Sequence, residues 1–90
     1  MPARETSRII AHKVLGFEQI ELIGHAQRRM KQRVITLNDI IRTIDAPDRL
    51  VPSSNPRRIR ARWIKSKFAS IDVVYEELAD RIRVITVIRK

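Results

Sequence analysis

Two sets of basic residues are spaced so that they can act together. Arg58, Arg60 and Arg62 alternate with Ile59, Ala61 and Trp63, and His25, Arg29 and Arg33 recur every four residues. In a strand, alternate residues share a face and stand about 6.6–7 Å apart. That repeat is close to the phosphate spacing of an extended nucleic-acid strand, so the Arg58, Arg60, Arg62 row could follow a backbone, with Lys65 continuing the basic run. A guanidinium adds a planar fork suited to two-point phosphate contact. The competing reading is an edge strand guarded by positive charge against aggregation. On a helix, a four-residue repeat sets His25, Arg29 and Arg33 roughly along one side, beside an Ala26–Met30 apolar stripe. Such a row could border a phosphate groove. His25 could then serve as general acid or base, because imidazole titrates near neutrality. Against this, His25 could bond near a helix start while the arginines pair with Asp39, Asp45 or Asp48.

Metal-free RNA cleavage needs a base for the 2′-hydroxyl, cations for the phosphorane and an acid for the leaving oxygen. His25, Arg83 and Arg89 are the candidates for that chemistry, with Tyr75 and Glu76 as further groups. Arg33, Arg58, Arg60, Arg62, Lys65 and Arg81 are the candidates for contact with nucleic acid. Tyr75 alternates with Ile71 and Val73 and reads better as core. Trp63 lies opposite the arginine row, so it and Phe68 offer little support for a base-stacking platform. His12 and His25 are the only histidines and no carboxylates fall at ligand spacing, so no metal is expected. Two glycines in all leave no phosphate-cradling loop, so nucleotide-dependent enzymes are excluded and no cofactor is expected.

Ninety residues suit one domain, and 43% hydrophobic content is enough for a core. The formal charge is +9. Residues 1–48 hold eight Lys/Arg and six Asp/Glu, a net of +2, whereas residues 49–90 hold eleven and four, a net of +7. Seven basic and no acidic residues lie between Arg49 and Lys67. An excess so placed favours a polyanionic partner, RNA above all, over a merely solvated face. The absence of cysteine excludes disulfide and thiolate chemistry and favours a reducing, cytoplasmic setting. No run approaches the 18 apolar residues of a membrane span and no signal peptide is visible, so no membrane partner is expected.

These residues need elements to hold them. The first eight residues look frayed. Ile10, Val14 and Phe17 at helical spacing, with Gly16 as a stop, suggest a short helix over residues 9–17. Ile20 and Leu22 suggest a brief strand. Leu22, Ala26 and Met30 mark a helix from Gly24. Thr36 is an N-cap for a second helix, with Asp39 at its third position and Pro47 beyond its end. Strands are expected at residues 49–51, 58–65, 71–76 and 81–89, with a Pro-Ser-Ser-Asn-Pro loop at 52–56 and a hairpin connection at 77–80. Apolar residues on both faces of the last strand place it centrally. The sum is an α+β domain, helices first and then an antiparallel meander.

The run His25-Ala26-x-x-Arg29-Met30-x-x-Arg33-x-Ile35-Thr36 resembles the opening signature of a widespread prokaryotic family of small domains of unknown function. Pro47-Asp48-Arg49, the basic strand around Arg60–Trp63, Val73-Val74-Tyr75-Glu76 and Arg81-Ile82-x-Val84-Ile85-Thr86 continue it in order. The ending is also similar to BrnT-type toxins of the RelE/ParE superfamily. The resemblance covers roughly residues 20–90. It implies two N-terminal helices packed on a twisted antiparallel sheet. It also implies either a metal-independent endoribonuclease, often ribosome-dependent, or a ParE-like gyrase inhibitor, each neutralised by an antitoxin, here an acidic one. RelE-like proteins often keep functional residues near the C-terminus, which adds to the interest of Arg89. A noncatalytic nucleic-acid- or antitoxin-binding protein of the same fold is the alternative. The family commonly has Gly where this chain has Val34. Valine tolerates a left-handed helix ending poorly, so a different ending is expected here.

Overall fold

A hairpin, not a helix, opens the chain. The computed structural model describes residues 6–90. It begins with β1 (Arg8–Val14) and β2 (Phe17–Leu22), joined at Leu15-Gly16. Both turn residues have positive φ, 51° and 85°, as a tight hairpin whose twist matches its strands requires. This corrects the expected helix at residues 9–17. The spacing of four between Ile10 and Val14 is a multiple of two as well as close to 3.6, so it fits a strand equally well. Gly16 ends a strand at a turn and stops no helix. Most of the expected fraying at residues 1–8 falls outside the described residues.

After β2 come α1 (Gly24–Arg33) and α2 (Leu37–Asp45), then β3 (Arg49–Val51), β4 (Ile59–Ser66), β5 (Ala69–Glu77) and β6 (Ile82–Arg89). The strands form one sheet in the order β1-β2-β6-β5-β4-β3. Neighbours pair antiparallel except β2 and β6, which run parallel through Ile20↔Ile82, Glu21↔Arg83 and Leu22↔Val84. The expected α+β arrangement of two N-terminal helices on an antiparallel sheet is therefore overturned. The helices sit mid-chain, strand predominates and the sheet is mixed. The parallel contact arises because the hairpin adds to the free edge of β6, which places the last strand centrally in the sheet.

Thr36 and Asp39 form a reciprocal capping box at the start of α2: the Asp39 amide donates to Thr36 Oγ1 and the Thr36 amide donates to Asp39 Oδ2. Such a cap stabilises a helix by about 1 kcal/mol. The ending of α1 departs from expectation in the other direction. Val34 does adopt the left-handed conformation, with φ 52° and ψ 51°. The Ile35 amide reaches back to the Met30 carbonyl, closing the helix end that glycine ordinarily serves.

The helices cover one face of the sheet, α1 against β6 and α2 against β4 and β5. Ala61, Val73 and Val87 lie side by side across three strands on that face, all fully buried, with Ile40 and Ile44 of α2 and Ala26 of α1 in the same core. Each large aliphatic side chain so buried contributes about 1.5–3 kcal/mol. Alternate residues of the same strands turn to the opposite face. No described helix packs there.

Candidate functional site

That uncovered face carries the arginine row. Arg60 pairs with Val74 and Val74 with Thr86; one step along, Arg62 pairs with Asp72 and Asp72 with Ile88. Arg58 lies just before β4 and is exposed. The row exists as spacing implied, but it is tied down. Asp72 is 1% exposed. Its Oδ2 accepts from Arg60 Nε at 2.6 Å, and Arg62 grips both oxygens, Nε to Oδ1 at 2.7 Å and Nη2 to Oδ2 at 2.9 Å. Burial would push the Asp72 carboxyl up. The hydrogen bonds and charges of Arg62 and Arg60 outweigh it and hold the group below the usual carboxylate range. The Arg62 guanidinium is held correspondingly higher, chiefly by its bonds to Asp72. Two cations on one carboxylate leave a surplus positive charge on the face and fix the arginine heads in place.

Two recesses open at the ends of this row. The first lies between the 52–55 loop and the sheet, with Arg58, Arg60, Val74 and Thr86 on its walls. The Arg57 amide donates to Asn55 Oδ1 and the Arg58 amide to the Asn55 carbonyl, which sets the loop's return. The second lies at the β4–β5 turn, where Arg62, Lys67, Phe68 and Lys90 meet. Lys90 reaches it because its backbone pairs with Ser70 in both directions, at 3.0 and 2.9 Å.

The other candidates scatter. Arg33 donates to the Val87 carbonyl. This is a structural role: beyond Leu22, α1 takes the place of β2 beside β6, with the Ile23 amide on the Val84 carbonyl and Arg33 on Val87. His25 is exposed, with Nε2 3.2 Å from Thr86 Oγ1, at the margin of the first recess. Arg83 faces the open side but binds the nearly buried Glu21, Nε to Oε1 at 2.9 Å, with Arg81 3.6 Å from the same oxygen. Burial would raise the Glu21 carboxyl; the Arg83 and Ser7 hydrogen bonds, with the charges of Arg83 and Arg81, bring it lower. Arg81 also pairs with Asp80. Arg89 opposes Ile71 of the covered face, whereas Arg83 opposes Glu76 of the open one. The two lie about 20 Å apart along β6. His25, Arg83 and Arg89 thus form no single centre. Lys65 lies off the row: alternation sets it on the face of Ala61 and Trp63, and its ammonium lies 5.3 Å from the Trp63 ring on the helix side, where Arg42 stacks at 4.8 Å.

Two of the three aspartates named as partners in the sequence act otherwise. Asp39 caps α2 and Asp48 accepts the Ile64 amide at 2.6 Å. Arg29 bonds Gln32. Tyr75 is buried, which raises its phenol pKa. Asp72 was missed, although a carboxylate alternating with Ile71 and Val73 faces away from the core, which was a usable signal. Phe68, unlike Trp63, is 87% exposed, at the β4–β5 turn.

The family model described as a domain of unknown function, DUF4258, matches residues 22–89, from the last residue of β2 to the end of β6. No curated protein and no solved structure matches the chain. The match takes in both helices, the arginine row and both recesses except Lys90, and the chain belongs to the DUF4258 family.

Proposed function

We propose that this protein binds single-stranded RNA in the cytoplasm along the uncovered face of its sheet, without cleaving it. The observation that carries the reading is the Arg58, Arg60, Arg62 row, in which one buried aspartate holds Arg60 and Arg62 in place, continued by Lys67 and Lys90. Fixed cations lose little freedom on meeting phosphate, and guanidinium is weakly hydrated, so the row suits a polyanion. A broad sheet face has no element that enters a duplex groove, whereas a single strand can lie across it. The hydroxyls of Ser53, Ser54 and Thr86 beside the arginines offer partners for ribose 2′-hydroxyls. Binding is favoured over cleavage because His25, Arg83 and Arg89 do not converge.

The test is fluorescence anisotropy of labelled single-stranded RNA, the matching DNA and an RNA duplex, titrated across a salt series. The expected result is tightest binding to single-stranded RNA, with affinity falling linearly in log–log form as salt rises. Absence of binding at low salt overturns the reading. Chelator-resistant shortening of the RNA restores the endoribonuclease alternative.

A further inference from the structure

We infer that the recess at the β4–β5 turn is a nucleotide subsite in which a base stacks on Phe68 and the adjoining phosphate is held by Arg62, Lys67 and Lys90. The inference rests on the RNA-binding reading and names how one end of the strand is held.

Phe68 is the most exposed large apolar side chain among the described residues. A lone exposed hydrophobe is ordinary. This one is distinguished by its setting. Its turn is fixed by the Phe68 amide donating to Ser66 Oγ at 3.2 Å and by the Ile64↔Ser70 and Ser66↔Ala69 pairs. The Lys67 ammonium lies 5.9 Å from the ring centroid, so a cation and an aromatic face are presented together. Arg62 and Lys90 close the recess, and no acidic residue lines it. Arg62 uses Nε and Nη2 on Asp72, so its Nη1 takes no part in that pair, and the side chain lines the recess.

The chemistry fits a nucleotide better than a free anion or an apolar ligand. Inorganic phosphate has no use for Phe68, and an apolar ligand none for three cations. A base supplies a π-face for the ring and carries its phosphate within reach of the cations, as single-strand binders require. The recess also continues the arginine row: Arg62 ends the row and begins the recess. A strand laid along Arg58 and Arg60 therefore delivers its next nucleotide there.

The test compares wild type and Phe68→Ala for binding to a short oligoadenylate and to an abasic ribose-phosphate oligomer of equal length. An exposed side chain can be truncated without loss of folding, which circular dichroism checks. The expected result is oligoadenylate affinity weakened by about tenfold or more, unchanged affinity for the abasic oligomer, and recovery in Phe68→Trp. If Phe68→Ala binds oligoadenylate like wild type, or weakens both oligomers equally, the subsite is overturned while RNA binding by the face stands. If wild type binds neither oligomer, the RNA reading falls and the subsite with it.

Discussion

Arg62 and Asp72, register partners on β4 and β5, are joined by two parallel hydrogen bonds of 2.7 and 2.9 Å on the face of the sheet that no described helix covers. The carboxylate is buried and the guanidinium still reaches the surface. Arg60 completes a triad with one negative and two positive charges. The obvious functional variants, reversal of Arg60 or Arg62, are therefore poor probes of binding, because each also takes one of two partners from a buried carboxylate and sets a second negative charge beside it.

Removing the centre of the triad exposes its structural role. Asp72→Asn leaves two arginines crowded together without their counter-charge. Breaking a buried ion pair on one side costs about 3 kcal/mol, a large part of a small domain's stability. Urea unfolding should show a lower midpoint with unchanged slope; a midpoint equal to wild type would count against a structural triad.

The same residue sets an acid limit. Its carboxyl is held below its unfolded value, so its contribution is present in full above the unfolded pKa of about 4 and is lost as pH falls through the folded one. Glu21 acts in the same sense. Stability of the wild type should decline below about pH 4, and the decline should be shallower in Asp72→Asn. Parallel curves for the two proteins would assign the acid sensitivity elsewhere.

Binding is better probed at cations that the core does not need. Arg58→Gln with Lys67→Gln should weaken RNA binding and lower the slope of log affinity against log salt by about 1.4, or about 0.7 for each phosphate contact removed. Lys65→Gln with Arg89→Gln removes the same charge from the side of the sheet that the helices cover. It should change the slope little. Equal effects from the two pairs would reduce the basic face to general charge.

Val34→Gly should stabilise the fold. The valine is 73% exposed and has φ 52°, so it carries strain with little packing to offset it. Relief of a left-handed β-branched residue contributes about 1 kcal/mol, and the thermal midpoint should rise. A lower midpoint would mean that the Val34 side chain does more in packing than its exposure indicates.

Local chemistry was legible in the sequence wherever a few neighbouring residues decided the outcome. Thr36 and Asp39 announced a cap, Pro47 an ending, and the alternation of Arg58, Arg60 and Arg62 a shared face. What depended on distant partners was not legible. Nothing near Arg62 says that Asp72 will stand opposite it, because cross-strand register is set by the turn between them and by core packing. For the same reason Arg83 read as a free cation until β2 brought Glu21 beside it. The hairpin over residues 8–22 was lost to an ambiguous spacing, and with it the parallel pairing. At position 34 the intrinsic preference of valine is overridden by the Ile35–Met30 hydrogen bond and the burial of Ile35.

The parallel meeting of β2 and β6 also has a consequence in time. Ile20 and Ile82 are partners separated by most of the chain. Closing so large a loop is entropically costly, and contacts of this kind slow folding. During synthesis the first hairpin emerges early and must wait, with Ile20 and Leu22 uncovered, until the last strand leaves the ribosome. The hairpin is thus exposed to aggregation until β6 docks against β2, and that docking is the step that ends the exposure.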